Sequence, residues 1–358
     1  MPASDRSFIA FITPVEQPHF LTPDQTLEAD QASMRLRVGL PARELARSFA
    51  VCLVPIDYVQ QDPAFARLGT VRAVVVGKLP VRFFIEQRER ALAFAQWIEH
   101  SAERVRVVVD FSDDLRAAAA MYSQPALVEF QKRLLGACPA TVPTEALRER
   151  LAADARHGIS VIEDPFESPS PGEPRFAPGP VLRLAWFGVF APEFRPFVES
   201  HLMLIARKLR SRPIELAFVT HATQAALVHD MAAALREVNP QFLLRHVAWS
   251  VQVTARELER ADLVVLPQDV GSDWGYVKSH NRLVETIRAG RLAVASPIPA
   301  YQELADYAWV GDDLAAGVEW ALGNPAEVVR RVAAGQAHVA ERFAPSRIAS
   351  QWARALGL

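Results

Sequence analysis

The feature that most constrains this chain is a recurrence. Short apolar runs rich in β-branched residues, "SFIAFIT", "AVCLVPI", "VRAVVVG", "VRVVVDF", "ATVPT" and "ISVIED", alternate with longer stretches of helical character. A strand that reads as a continuous apolar run is covered on both faces, and strands alternating with helices give a parallel sheet with helices on either side. The alternation stops at residues 163–180, "EDPFESPSPGEPRFAPGP", where prolines at 165, 169, 171, 174, 178 and 180 leave no room for a regular element. It restarts with "VLRLAWFG", "IELAFVT", "FLLRHVAW", "DLVVLP" and "LAVAS", again separated by helical segments. The fold expected is therefore α/β: two Rossmann-like doubly wound domains facing each other across a cleft. Residues 1–170 form the first, residues 171–180 a proline-rich linker and residues 181–344 the second. A terminal helix over 345–358 can pack back on the first domain. A length of 358 residues, beyond the size at which a single core stops growing, agrees with two domains. Ligands of such sheets bind at the carboxyl ends of the strands, which here would line the cleft.

Composition narrows the function. Half the residues are hydrophobic, 22% are charged and the formal net charge is −2, with no basic run able to neutralise many phosphates, so nucleic acid is not an expected partner. "MPASDRSFIAFITP" lacks a basic region followed by a long apolar stretch, and no window reaches the ~18 apolar residues of a membrane span. The expected location is cytoplasmic, or peripheral at the inner membrane. Cys52 and Cys138 lie in or beside apolar runs and read as buried, reduced thiols. The nine histidines show no paired-ligand spacing, so no metal and no cofactor are assigned.

One segment carries chemistry. In "KSHNRLVETIRAGRLAVASP", residues 278–297, helical spacing puts Lys278, Asn281 and Glu285 on one face and Leu283, Val284 and Ile287 on the other. Gly290 follows the last periodic residue and Arg288 sits in the last turn, the expected helix stop before a short strand. Arg282, Glu285 and Arg288 are also spaced for ordinary ion pairs on a solvent face. His280 reads as a packing residue or a water contact, not a base.

The order of these segments resembles nucleotide-sugar-dependent glycosyltransferases of the GT-B fold, in particular the large retaining class (family 4-like, group 1). "NRLVETIRAGRLAVASP" is similar to that family's late helix and "G-x-P-V-V-A-S" turn. "ASMRLRVGLPARELARSF" resembles its first helix, "VVVGKLP" and "VVVDFSDD" its paired inner strands, "ATVPTEALRERL" with "ISVIEDPFE" the segment closing its first domain, and "ADLVVLPQ" the strand before the donor helix. The resemblance implies sugar transfer from a nucleotide sugar, with retention, without a metal, to a glycan, lipid-linked or other hydroxyl acceptor bound by the first domain. It places Glu285 on the ribose and Gly290 at the turn. Two departures stand out: Val277 occupies the place of the family's first glutamate, and "WFGVFAPEFRPF" offers one glycine, Gly188, and one cation, Arg195, where members carry more.

Leaving-group charge in a metal-free transfer must be met by cations and oriented N–H groups. Lys278, Asn281, Glu285, Gly188 and Arg195 are therefore the donor-side candidates. Arg35, Arg37, Lys78 and Asp110, in or just past the strand-like runs of the first domain, are its cleft candidates, while Asp113 and Asp114 read as caps. Two other functions fit the same reading: a catalytically inactive GT-B-like module that binds a nucleotide or a protein, and a nucleotide-sugar epimerase or hydrolase.

Overall fold

Every apolar run singled out above forms a strand. The computed structural model describes residues 7–60, 65, 67–77 and 87–358. By its contacts the chain divides into two units. The first comprises residues through Glu167 together with Val277–Ser279 and Phe343–Leu358, and the second comprises Ser168–Tyr276 and His280–Arg342.

The first unit is a seven-stranded sheet built from β1 (Ser7–Ile12), β2 (His19–Phe20), β3 (Ala50–Val54), β4 (Thr70–Val76), β5 (Arg106–Asp110), β6 (Ala140–Val142) and β7 (Ile159–Val161). Its order is β2-β3-β1-β4-β5-β6-β7, parallel except for the two-residue β2, which pairs antiparallel with β3. Ile9, Phe11, Val51, Leu53 and Val75 line one face of this sheet and are buried. A π-helical turn, Met34–Gly39, and the helix Leu40–Leu45 cover that face with Met34, Val38, Ala42 and Leu45. The terminal helix Pro345–Ala355 completes the core: Ile348 and Trp352 are fully buried in it, with the Trp352 ring 6.2 Å from that of Phe11. Cys52 and Cys138 are buried and form no disulfide with each other, and burial pushes the Cys138 thiol up to about 12.

The second unit holds β8 (Leu182–Phe187), β9 (Ile214–Thr220), β10 (Phe242–Ala248), β11 (Leu263–Leu266), β12 (Leu292–Ala295) and β13 (Trp309–Val310). All pair in parallel, in the order β10-β9-β8-β11-β12-β13. Counted within the unit, this is 3-2-1-4-5-6, the doubly wound order whose strand sequence reverses between the first and fourth strands, here β8 and β11. Helices Arg195–Lys208 and Ala225–Val238 bury Val198, Leu202, Met231 and Leu235 against the sheet. Ser250 caps the helix Val251–Arg260 by accepting from the Val253 N–H at 3.1 Å. Loss of that cap in Ser250→Ala should cost about 1 kcal/mol in chemical denaturation.

The proline-rich stretch is fixed rather than loose. The chain passes from the first unit to the second between Glu167 and Ser168, and residues beyond that point run along the turn after the helix Asn281–Arg288. The Gly172 N–H donates to Arg288 O at 2.8 Å, the Arg288 guanidinium donates to Ser168 O and Pro169 O, and Arg291 donates to Glu173 O. Gly290 adopts φ +76°, and a Cβ there would lie 2.2 Å from Glu173 O, so both the turn and the neighbouring chain require glycine. Arg291 is 3% exposed and also donates to Ala261 O and Glu259 O; burial lowers its pKa to about 10. No helix among the described residues is long and apolar enough to cross a membrane.

Candidate functional site

The residues nominated from sequence separate into two groups. In the first unit, Arg37 and Asp110 engage each other. Arg37 is 1% exposed and makes a two-point contact with Asp110, Nη2–Oδ1 at 2.6 Å and Nε–Oδ2 at 3.1 Å. It also donates to Ile162 O, reaches Asp164 at 3.4 Å and lies over the Trp352 ring. Burial lowers the guanidinium pKa, but Asp110 and Asp164 outweigh it and the net shift is upward, so Arg37 stays charged. Thr141 donates to Asp110 at 2.7 Å. Arg35 is likewise buried, forked on Glu167 and bonded to Ala29 O and Asp30 O. Arg35, Arg37 and Asp110 are thus held in buried ion pairs, and Asp110 also lines a concavity at the ends of β4 and β5 beside Gly77, Phe111 and Asp113. Lys78 lies outside the described residues.

Asp114 is a cap as expected, accepting from the Arg116 N–H at the start of the helix Leu115–Tyr122. Asp113 pairs with Lys278 at 2.7 Å. Lys278 therefore leaves the stripe. Its helix begins only at Asn281, and Val277–Ser279 join the first unit, where Thr144 also donates to Val277 O. Helical spacing extended three residues too far, because nothing in the i, i+3 pattern separates a first turn from an extended approach to it.

In the second unit the remaining candidates converge on the switch point between β8 and β11. Gly188 ends β8 with φ +148°, and its N–H donates to Val219 O. The helix Asn281–Arg288, reached from β11, brings the Arg282 guanidinium to this spot. It donates to Phe187 O at 3.4 Å and lies 5.9 Å from the centre of the Trp186 ring, and its Nη1 would be 3.3 Å from a Cβ placed on Gly188. Among the described residues Arg282 has no carboxylate partner. Among the described residues three buried polar atoms lack partners on the surrounding elements: Trp186 Nε1, whose ring Arg282 overlies, Asn281 Nδ2, its chain neighbour, and Thr220 Oγ1 at the end of β9. Trp186 on β8, and Phe218 and Thr220 on β9, lie on one face of the sheet, where the Trp186 and Phe218 rings stack at 4.1 Å, and Gly188 follows β8 directly. Buried polar atoms without partners are rare in folded proteins. Three of them beside an arginine, a helix start and a glycine turn make a place suited to an anion with several oxygens.

Glu285 sits one turn further along the same helix face as Asn281 and is 8% exposed. Arg195 is placed differently: it pairs with Glu199 at 3.0 Å and Asp230 at 3.5 Å, on its own helix and the next. The residues that sequence reasoning missed are Arg282, Trp186 and Thr220. Arg282 was hidden among the i, i+3 charges of its helix. For Thr220, the signal was its place as the last residue of an apolar run.

No protein-family model matches the sequence, and no curated protein sequence matches it. Solved structures do resemble it. HepE from Anabaena, solved in complex with UDP, superposes with a TM-score of 0.63 over 98% of this chain and 99% of its own, at 12% identity. The trehalose-6-phosphate protein of E. coli bound with UDP-2-fluoro glucose gives 0.66 over 98% of each chain, at 9% identity. TarM from S. aureus, in a complex that includes UDP, gives 0.55 at 13% identity; 80% of this chain is covered, and it spans 55% of the length of TarM. At these identities the likeness establishes the fold. It is that of the GT-B class, two Rossmann-like domains in series.

Proposed function

We propose that this protein is a glycosyltransferase that moves a sugar from a nucleotide-sugar donor to a hydroxyl acceptor, with retention and without a metal. The observation that carries the reading is the convergence at the β8/β11 switch point. There a glycine turn, the start of a helix and an arginine meet three buried polar atoms, and among the described residues the arginine has no carboxylate partner and the three atoms have no partner. A diphosphate supplies the missing acceptors. In sugar transfer the same groups meet the charge that builds on the leaving diphosphate. Glu285, one turn along, accepts from the ribose hydroxyls. The first unit selects the acceptor, a glycan or lipid-linked hydroxyl. The UDP-bound relatives of the fold support a uridine nucleotide as the first donor to try.

The test is calorimetric titration of the wild type and Glu285→Ala with uridine, guanosine, adenosine and thymidine diphosphates. Selective binding is expected, weakened by at least ~1.4 kcal/mol, or tenfold, in the variant. A folded wild type that binds none of the four would overturn the reading. A second reading has its own observation: Val277, where the resemblance places a glutamate, is 1% exposed, so the site lacks that carboxylate. Nucleotide binding with no donor-dependent product across acceptor classes would favour a binding module. Sugar conversion without any acceptor would favour an epimerase or hydrolase.

A further inference from the structure

The helix Asn281–Arg288 starts without the usual side-chain cap. His280 holds the cap position in helical geometry and makes no capping hydrogen bond to the backbone. Yet this start must stay in place if Asn281 and Arg282 are to meet a ligand. His280 is 1% exposed, and its Nε2 lies 3.2 Å from Glu303 Oε2, an ion-pair distance without the alignment of a hydrogen bond. Glu303 follows the short helix Pro299–Gln302 and accepts a second charged contact from Arg342, the last residue of the helix Pro325–Arg342. That helix packs closely on Asn281–Arg288: a Cβ on Gly335 would lie 2.9 Å from the Ile287 side chain. His338, stacked on Tyr307 at 5.0 Å, is the other titratable ring beside His280 and Arg342. Burial raises the Glu303 carboxyl, but His280 and Arg342 outweigh it and hold it at about 2, so the anchor is ionised at any pH above that.

We propose that His280 is a positioning residue of the nucleotide site: tied through Glu303 to Arg342, it fixes the first turn of the helix and with it Asn281 and Arg282. The inference rests on the functional reading above for its ligand, but not for its mechanics. The approach to His280 is engaged at Val277 O by Thr144 and at Lys278 by Asp113. Glu303 adds a contact at His280 itself, where the helix begins. Displacing catalytic or binding groups by about 1 Å can cost up to ~10²-fold, and an unanchored first turn frays by such amounts.

The test pairs hydrogen–deuterium exchange of the ligand-free protein with titration by uridine diphosphate, on wild type, His280→Leu, His280→Gln and Glu303→Gln. His280→Leu should speed exchange of the amides of residues 281–285 about tenfold and weaken uridine diphosphate about tenfold. His280→Gln keeps an N–H donor at the position facing Glu303 and should recover both. Glu303→Gln changes an accessible position, so it keeps the fold, and should reproduce the His280→Leu exchange in milder form. Unchanged exchange in His280→Leu and Glu303→Gln overturns the proposal, as does a glutamine variant no better than leucine. If the wild type binds no uridine diphosphate, the functional reading fails by itself, and exchange still decides whether His280 anchors the turn.

Discussion

Asp110→Ala is expected to destabilise the first unit by about 3–5 kcal/mol, the cost of leaving one member of a buried ion pair uncompensated. Arg37 is 1% exposed, and without Asp110 its guanidinium keeps only Ile162 O, the more distant Asp164 and the Trp352 ring. Thr141 loses its acceptor as well. The double variant Arg37→Met with Asp110→Leu should be less destabilised than Asp110→Ala, because it removes both charges and leaves none stranded. Urea denaturation of the intact chain, with the midpoint compared across the variants, measures this. A single variant within 1 kcal/mol of wild type would show that the pair does not hold the unit together as assigned.

Arg282→Ala should leave stability nearly unchanged and weaken nucleoside diphosphate binding by roughly 10–100-fold. A hydrogen bond to a charged group is worth about 1.5–3 kcal/mol, and each 1.4 kcal/mol is a factor of ten. The guanidinium lies against Trp186 and donates to Phe187 O, so within the folded protein the truncation removes one hydrogen bond to a carbonyl and the covering of one ring face. Arg282→Lys should recover part of the affinity, since a point charge replaces the planar fork. Titration with uridine diphosphate and with uridine separates the contributions: the variant should lose affinity for the first and not for the second. Equal losses for both would place the arginine elsewhere than on the phosphates.

Much of this architecture is legible in the sequence because its strands are buried on both faces. "VRVVVDF" or "DLVVLP" suits one environment, and the proline stretch at 163–180 separates the two series. The edge strands β2 and β13 escape notice because two residues carry no periodicity. The site was legible only where position along the chain sufficed. Asn281 and Glu285 share their helix face as the spacing requires, and Gly188 ends its strand. Charged residues were the poorest guide. Arg35 and Arg37, alternating with apolar residues, read as cleft candidates, and a π-helical turn carries both into buried ion pairs whose carboxylates are 132 and 73 residues away. Arg195 and Lys278 met carboxylates in the same way, whereas Arg282, which looked like one more surface charge, has none among the described residues. Whether a charge is satisfied depends on long-range contacts, and local spacing does not contain them.

The most direct test of a nucleoside diphosphate held at the β8/β11 switch point of the second unit is hydrogen–deuterium exchange of the intact wild-type chain, with and without saturating uridine diphosphate. Protection is expected to concentrate at residues 187–190, 220–221 and 281–286. Binding accompanied by protection elsewhere, with these three segments unchanged, would contradict that placement.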